Sequence, residues 1–245
     1  MIISPSGTIP CVMKPGDDLN SVAKMYHTTA GAIKSVNPYI DLNILDAPQV
    51  VYIPVDYYYK TAGRKSMQNT GREEQVKNLI RMLWEQHVFW TRLVIISMVF
   101  GLPDTKLVTD RLLRNPDDFA AALKPFYGEE TAAKFADLLK NHLTIAAELV
   151  SSAKAGNTAA AEDAERRWYS NADEIADFLA AINPFWSAEE WRSMLHEHLK
   201  MTKDEAVDFL TQEFENSITQ FDDIEKEALE MADVMSNGVI RQFSI

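Results

Sequence analysis

The sequence predicts a small α+β unit at the N-terminus, followed by an all-α, up-and-down helical bundle. Two observations carry this prediction. Between Ile9 and Pro54, two short apolar segments flank two short amphipathic segments, which gives the order strand, helix, helix, strand (βααβ). From Glu73 onward, apolar residues recur at helical spacing in segments of more than about twenty residues with short connections, the pattern of a bundle.

Turn and capping residues mark the elements of the first unit. Pro15-Gly16-Asp17-Asp18 predicts a turn followed by a helix N-cap, and Thr28-Thr29 predicts the cap of a second helix. Asn37-Pro38 ends that helix, and residues 50–54 return as the second strand. We expect the apolar side of the first helix to be formed by Leu19, Val22, Ala23 and Tyr26.

This segment resembles a LysM domain, the small module that binds N-acetylglucosamine-containing glycans in peptidoglycan and chitin. Two positions depart from the family pattern: Asp18 stands where the family usually has Thr, and Pro48 where it usually has Gly. The residues that carry the resemblance are Lys14-Pro15-Gly16-Asp17, Leu19, Val22-Ala23, Tyr26, Thr28-Thr29, Ile33, Asn37-Pro38, Leu45, Gln49 and Tyr52-Ile53-Pro54.

The resemblance implies a shallow sugar-binding groove between two loops of the unit. Main-chain amides at the turns would bind the acetamido group, and Gly16 would let the backbone come close to the sugar. Ile40 or Leu42 would supply an apolar floor. The alternative is that the polar and glycine positions only build turns and caps. The glycan-binding residues that the resemblance implies are Gly16, Asp17, Asp18, Leu19, Asn37, Pro38, Ile40 and Leu42.

The rest of the chain divides into a linker and a helical domain. We expect a LysM-like domain at 1–58, a polar linker at 59–72 and a helical bundle at 73–245. Thr202-Lys203-Asp204-Glu205 predicts the N-cap of the last helix. No internal repeat is evident in the sequence. The helices predicted within the bundle are 73–100, 108–114, 117–126, 128–153, 158–182, 187–201 and 206–243.

Three segments of the bundle resemble a helical-bundle family of spore-forming Firmicutes. They are LWEQHVFWTR at 83–92, RWYSNADEIADFLAAINPFW at 167–186 and MADVM at 231–235. Members of this family are sometimes labelled acetylglutamate kinase. The sequence has neither a glycine-rich phosphate loop nor the strand-helix alternation of a kinase core, so the resemblance implies a family and no reaction.

Polar residues fall on the core side of the bundle helices. His87 and His142 do so, and Glu148 is a further candidate metal ligand. One interpretation is a metal or small-ligand site. The other, which we favour, is a structural hydrogen-bond network that fixes helix register. The Glu-x-x-His motif of di-iron bundles is absent and Cys11 is the only cysteine, so we expect no metal or other cofactor. No catalytic residues are assigned.

Charge and hydropathy restrict the partners and the location. A net charge of −12 argues against nucleic acid and anionic membrane surfaces. The apolar run at 93–102 is too short for membrane insertion, and the first residues lack the pattern of a signal peptide. We expect cytoplasmic synthesis, which fits a chain with a single cysteine. The two resemblances imply a spore-associated or cell-wall-associated location.

The sequence leaves three functions open. The first is non-enzymatic binding of peptidoglycan or another N-acetylglucosamine polymer, with the bundle as a partner-binding or oligomerisation domain. The second is a structural spore-layer or self-assembling protein. The third is a metal- or ligand-binding bundle with enzymatic activity. Trp84 and Trp186 lie outside the predicted core stripe, and they are candidates for an exposed patch that serves either self-association, as in a homo-oligomer, or docking of the LysM-like domain.

Overall fold

The computed structural model describes residues 8–13, 17–26, 28–38, 49–54 and 66–245, and these are mostly helical, with one small two-stranded sheet. The chain divides into two compact units, Met1–Arg72 and Glu73–Ile245. The described elements, in chain order, are β1 (Thr8–Met13), α1 (Leu19–Met25), α2 (Ala30–Val36), β2 (Gln49–Pro54), α3 (Ser66–Phe100), α4 (Thr105–Leu112), α5 (Asn115–Lys154), α6 (Thr158–Ile182), α7 (Ala188–Thr211) and α8 (Phe214–Phe243).

The first unit has the predicted order of strand, helix, helix and strand. β1 and β2 pair in antiparallel register from Thr8↔Pro54 to Met13↔Gln49. Both helices begin where the capping residues predict: the Asp18 carboxylate accepts hydrogen bonds from two backbone N–H groups of α1, and Thr29 Oγ1 accepts one in α2. The core of the unit consists of Met13, Leu19, Val22, Ala23, Ile33, Val51 and Ile53.

The second unit is a helical bundle in which α5 packs on α6, α6 on α7 and α7 on α8. Each of these pairs is joined by a short connection, as in an up-and-down bundle. α5 is broken at Gly128, whose backbone has φ 81° and ψ 172°, so that 115–127 and 129–154 are two helical segments. The sequence predicts a helix start at this glycine, and the positive φ explains why glycine is needed there.

The predicted helix boundary at Thr202 is wrong. α7 continues through this segment to Thr211 and ends at Gln212, which has a φ of 65°. Thr202 and Glu205 are buried, at 5% and 1% exposed. Glu205 pairs with Arg92 of α3, and the Arg92 guanidinium also donates a hydrogen bond to Ser217 O (2.8 Å). Residues 202–205 resemble a helix cap in local sequence, but the ion pair between Glu205 and Arg92 places them inside α7.

Two further expectations differ from the structure. Residues 66–72 of the predicted linker form the first turns of α3, whereas 59–65 lie outside the described residues. Helix propagation from a packed segment adds one hydrogen bond per residue, which explains this extension. The predicted exposed patch at Trp84 and Trp186 is wrong, because these side chains are only 2% and 3% exposed. Trp84 stacks on Trp191, with ring centroids 6.5 Å apart.

Candidate functional site

The predicted glycan site lies in the first unit, and the structure describes five of its eight residues. Gly16, Ile40 and Leu42 lie outside the described residues. The other five divide into two groups by burial. Asp17, Asp18 and Pro38 are exposed, and Leu19 and Asn37 are buried at 8% and 4% exposed.

The side chains of Asp18 and Leu19 are used by the fold of α1. Asp18 Oδ2 accepts hydrogen bonds from Ser21 Oγ (2.9 Å) and from Ser21 N (3.0 Å), and Oδ1 accepts one from Asn20 N (3.2 Å). The hydroxyl of Ser21, followed by the two backbone N–H groups, lowers the pKa of Asp18. Leu19 packs in the core of the unit, so its side chain is not available to a sugar at the surface.

The Asn37 side chain ties the end of α2 to strand β2. Its Nδ2 donates to Ile33 O (2.7 Å) and to Tyr52 O (2.6 Å), and its Oδ1 accepts a hydrogen bond from Tyr52 N (2.8 Å). Because these three bonds occupy a buried amide, the Asn37 side chain is not free to bind a sugar, and a role of Asn37 in glycan binding through its main chain stays a prediction. The alternative of a turn-building and cap-building residue describes Asn37 correctly.

The exposed residues of the predicted site border the two loops that the resemblance assigns to the groove. Asp17 directly follows residues 14–16, and Pro38 directly precedes residues 39–48; both of those ranges lie outside the described residues. Asp18 and Asn37 therefore act as anchors at the bases of the two loops.

One exposed feature of this unit was missed in the sequence. Val12 and Val50 are directly opposite each other in the sheet and are 58% and 46% exposed. They lie on the face opposite Met13 and Val51, which are fully buried. The alternation of β1 and β2 could have revealed this apolar pair, because side chains of neighbouring strand residues point to opposite faces.

The second candidate site is a group of three buried histidines in the bundle. His87 of α3, His142 of α5 and His198 of α7 are each 2–3% exposed and line one small central cavity. The ring centroids of His87 and His198 are 5.7 Å apart. Trp84 and Trp191 line the same cavity, and neither indole N–H has a hydrogen-bond partner among the described residues.

His142 is held in one neutral tautomer. Its Nε2 accepts a hydrogen bond from Trp168 Nε1 (3.1 Å), so the proton is on Nδ1, which donates to Asn171 Oδ1 (2.9 Å). Asn171 Nδ2 in turn donates to Leu138 O (3.2 Å). Burial, together with the proximity of His198, lowers the pKa of His142 to about 3. Its ring is therefore a structural donor and acceptor at neutral pH.

His87 of α3 is hydrogen-bonded to an asparagine in the same way. Its Nδ1 donates to Asn115 Oδ1 (3.1 Å), and Asn115 Nδ2 donates to Leu83 O (2.9 Å). Burial, followed by the nearby histidines, lowers the pKa of His87 to about 3. The third histidine, His198, pairs through Nδ1 with Glu227 Oε2 (2.9 Å). Each histidine thus has an acceptor 28 or 29 residues later in the chain.

These three pairs define an internal repeat, and the expectation of no repeat is wrong. LWEQHV (83–88), LLKNHL (138–143) and MLHEHL (194–199) align on the histidines, which are 55 and 56 residues apart. NPDDFA (115–120), NADEIA (171–176) and EALEMA (227–232) align on the acceptors. The bundle is therefore built from three similar helical hairpins whose histidines meet at the centre. The spacing of about 56 residues was the signal available in the sequence.

The three candidate metal ligands His87, His142 and Glu148 do not lie together. Glu148 is on the surface, where its Oε2 accepts a hydrogen bond from Arg167 (2.7 Å). Its carboxylate therefore does not join the buried histidines as a metal ligand. No group of three or more potential metal ligands was found in the described part of the chain. The histidines instead form the hydrogen-bond network that the sequence favoured.

No protein-family model matches this chain, and neither a curated protein nor a solved structure matches it. The resemblances to LysM domains and to a Firmicutes helical-bundle family therefore stay predictions. Of the helices in the described ranges, none combines the length and the hydropathy that a membrane span requires.

Proposed function

We propose that the first unit binds N-acetylglucosamine-containing glycan, with peptidoglycan as the ligand class. The observation that supports this is the βααβ unit in which Asn37 joins the end of α2 to β2, while Asp18 caps α1. This is the element order of a LysM domain, with the two loops of the implied groove held at their bases. A spore-associated or cell-wall-associated location follows from the same proposal.

Binding would rest on main-chain groups rather than on charged side chains. A neutral acetamido group needs one donor and one acceptor in fixed positions, and exposed turn backbone offers both. Val12 and Val50 provide an apolar surface of the kind that packs on the faces of sugar rings, on the outer side of the sheet. A single module of this kind binds weakly, and several copies held together would bind more tightly through avidity.

The bundle is proposed to bind a partner or a second copy of the chain. Leu79, Met82 and Phe89 lie on one face of α3 and are 40%, 47% and 50% exposed. An exposed apolar stripe of this kind is typical of a protein contact surface. This stripe replaces Trp84 and Trp186, which are buried, as the candidate surface for self-association.

Glycan binding is tested with the full-length protein and two matched variants. Pro38→Glu places a charged carboxylate beside one loop of the implied groove. A neutral sugar bound there would remove this carboxylate from water, which costs free energy. We therefore expect binding of a chitin oligosaccharide to weaken at least about tenfold, equivalent to 1.4 kcal/mol. Ser35→Glu makes a similar change on the exposed surface of α2 and serves as the control. Calorimetric titration gives the affinities, and sedimentation with purified peptidoglycan tests the polymer.

The proposal is wrong if the unchanged protein neither sediments with peptidoglycan nor gives heat with the oligosaccharide. It is also wrong if both glutamate variants bind as tightly as the unchanged protein. Association of the bundle is measured separately by analytical ultracentrifugation. There, Phe89→Lys should shift an oligomer to monomer, whereas Glu130→Lys, at an exposed position of α5, should not.

A further inference from the structure

An apolar cavity lies in the second unit, between α3, α4, α5, α6 and α7. Its volume is about 420 Å³, within the usual range for small-molecule sites. Val94 and Ile95 of α3, Leu149 and Val150 of α5, and Ala206 of α7 contribute to its wall. Nothing in the proposed function uses this cavity.

Among the buried side-chain polar atoms of the wall, one has no hydrogen-bond partner within the described residues. The hydroxyls of Thr91, Thr109 and Thr144 each donate to a carbonyl four residues earlier in their own helix, at 2.7, 2.7 and 2.9 Å. Thr202 of α7 is only 5% exposed, and its hydroxyl has no hydrogen-bond partner among the described residues. A buried hydroxyl without a partner costs about 1–3 kcal/mol, so a ligand that pairs with Thr202 recovers that free energy.

The charged side chains of the wall argue against an anionic ligand. Lys203 Nζ donates to Glu165 Oε1 (2.6 Å), which neutralises the ammonium group. Glu162 is a second carboxylate in the wall and is exposed. Two carboxylates and one ammonium group give this side of the cavity a negative charge, which repels a carboxylate or phosphate head group.

The size of the cavity argues against a protein segment. A helix about 10 Å wide with a pitch of 5.4 Å fills roughly this volume in a single turn. The wall is mostly aliphatic, so an apolar ligand gains dispersion contacts with most of it. An extended aliphatic chain satisfies both conditions.

We propose that this cavity binds a small aliphatic molecule with a neutral hydroxyl head group, a long-chain alcohol or a close chemical relative. The hydrocarbon chain packs between the aliphatic residues of α3 and α5, and the head group forms a hydrogen bond with the Thr202 hydroxyl. The bundle then has a ligand of its own, and its binding is independent of whether the first unit binds glycan.

The test uses the full-length protein and the neutral fluorescent probe N-phenyl-1-naphthylamine, which becomes bright in apolar sites. We expect saturable binding that dodecanol displaces at least about tenfold better than dodecanoate does, a difference of 1.4 kcal/mol. Ala161→Phe fills the cavity from α6 and should weaken probe binding at least about tenfold without lowering the thermal midpoint. Ala159→Phe, an exposed position two residues earlier, is the matched control and should bind within about twofold.

Thr202→Val tests the head group and does not depend on the larger substitution being tolerated. It keeps the shape of the side chain and removes the hydroxyl, so dodecanol should bind about tenfold more weakly while the probe binds within about twofold.

Four results would each overturn the inference. They are tight probe binding by Ala161→Phe, equal loss in both phenylalanine variants, equal displacement by dodecanoate, and probe binding that disappears as protein concentration rises. The last would show that a second copy of the chain covers the cavity.

Discussion

A glycine near the C-terminal end of α8 gives the sharpest test of how the bundle packs. A Cβ added at Gly238 would lie 1.8 Å from Nε1, 2.5 Å from Cδ1 and 2.7 Å from Cε2 of Trp186. The Trp186 ring is 3% exposed and packs on Tyr127 and Trp191, with centroids 5.8 and 6.2 Å away. Its Nε1 donates a hydrogen bond to Val234 O (3.2 Å). Gly238→Ala therefore forces a large, well-packed ring to move.

Two opposing effects decide the sign of this substitution. Alanine in place of glycine inside a helix normally stabilises by about 1 kcal/mol. Against this, overpacking costs about 1–3 kcal/mol, and a buried indole N–H that loses its acceptor costs about 1–3 kcal/mol more. Steric cost exceeds helix propensity here, and we expect Gly238→Ala to lower the free energy of unfolding by about 3 kcal/mol.

The assay is urea unfolding of the full-length protein, followed by circular dichroism at a helical wavelength. Gly238→Ala is measured alone and in a Trp186→Leu background, where the obstructing ring is absent. In that background we expect the alanine to stabilise by about 1 kcal/mol, so that its effect changes sign. Asn237→Ala, at the neighbouring exposed position, should stay within about 0.5 kcal/mol. The reasoning fails if Gly238→Ala costs the same in both backgrounds.

Four further substitutions test the buried polar groups. Asn37→Ala should destabilise the first unit by about 3 kcal/mol because it leaves the Tyr52 N–H without its acceptor; faster amide exchange in β2 would show this, and unchanged exchange would contradict it. Asn115→Ala and Asn171→Ala should each cost about 2–3 kcal/mol in urea unfolding, and a large difference between them would refute the equivalence of the two hairpins. Burial raises the pKa of Glu205 to about 7, so the folded state keeps a proton that the unfolded chain has released, and stability should fall as pH rises from about 5 to 8. Glu205→Gln should flatten that pH dependence in thermal unfolding, and an unchanged slope would assign it to another group.

Local signals in the sequence predicted helix starts well in both units. Asp18 and Thr29 cap the two helices because their side-chain oxygens accept hydrogen bonds from N–H groups two or three residues away. Gly128 marks a helix start because its φ is positive. In each case the physical cause lies within a few residues, so the sequence alone contains it.

Predictions about side-chain environment were less successful. Thr202 and Glu205 have the residue types of a cap, but a residue from another helix, Arg92, makes their segment part of a continuous α7. Asn37 was assigned to a sugar contact, although its partner Tyr52 lies 15 residues away in β2. Trp84 was expected at the surface but is buried. The core-facing side of α3 is wider than the stripe of residues that helical periodicity indicates.

The candidate metal set shows the same limit of local patterns. His87 and His142 were correctly expected on the core side of their helices, and both are buried. Helical periodicity alone could not show that their ring nitrogens are occupied by Asn115, Asn171 and Trp168. Those partners lie 26–29 residues away, in the returning helix of each hairpin.

The amino-acid sequence by itself determined the order of the elements, their capping residues and the presence of buried histidines, since backbone hydrogen bonding and helical periodicity act over a few neighbouring residues. Only the tertiary structure decided that the three repeated histidines line one central cavity, that Asn37 ties the end of α2 to β2, and that an apolar cavity opens beside Thr202. The repeat is weak in the sequence because equivalent positions hold different residues of similar burial, such as Trp84 and Leu139. Burial depends on elements that are far apart in the chain, and it becomes visible only when they pack together.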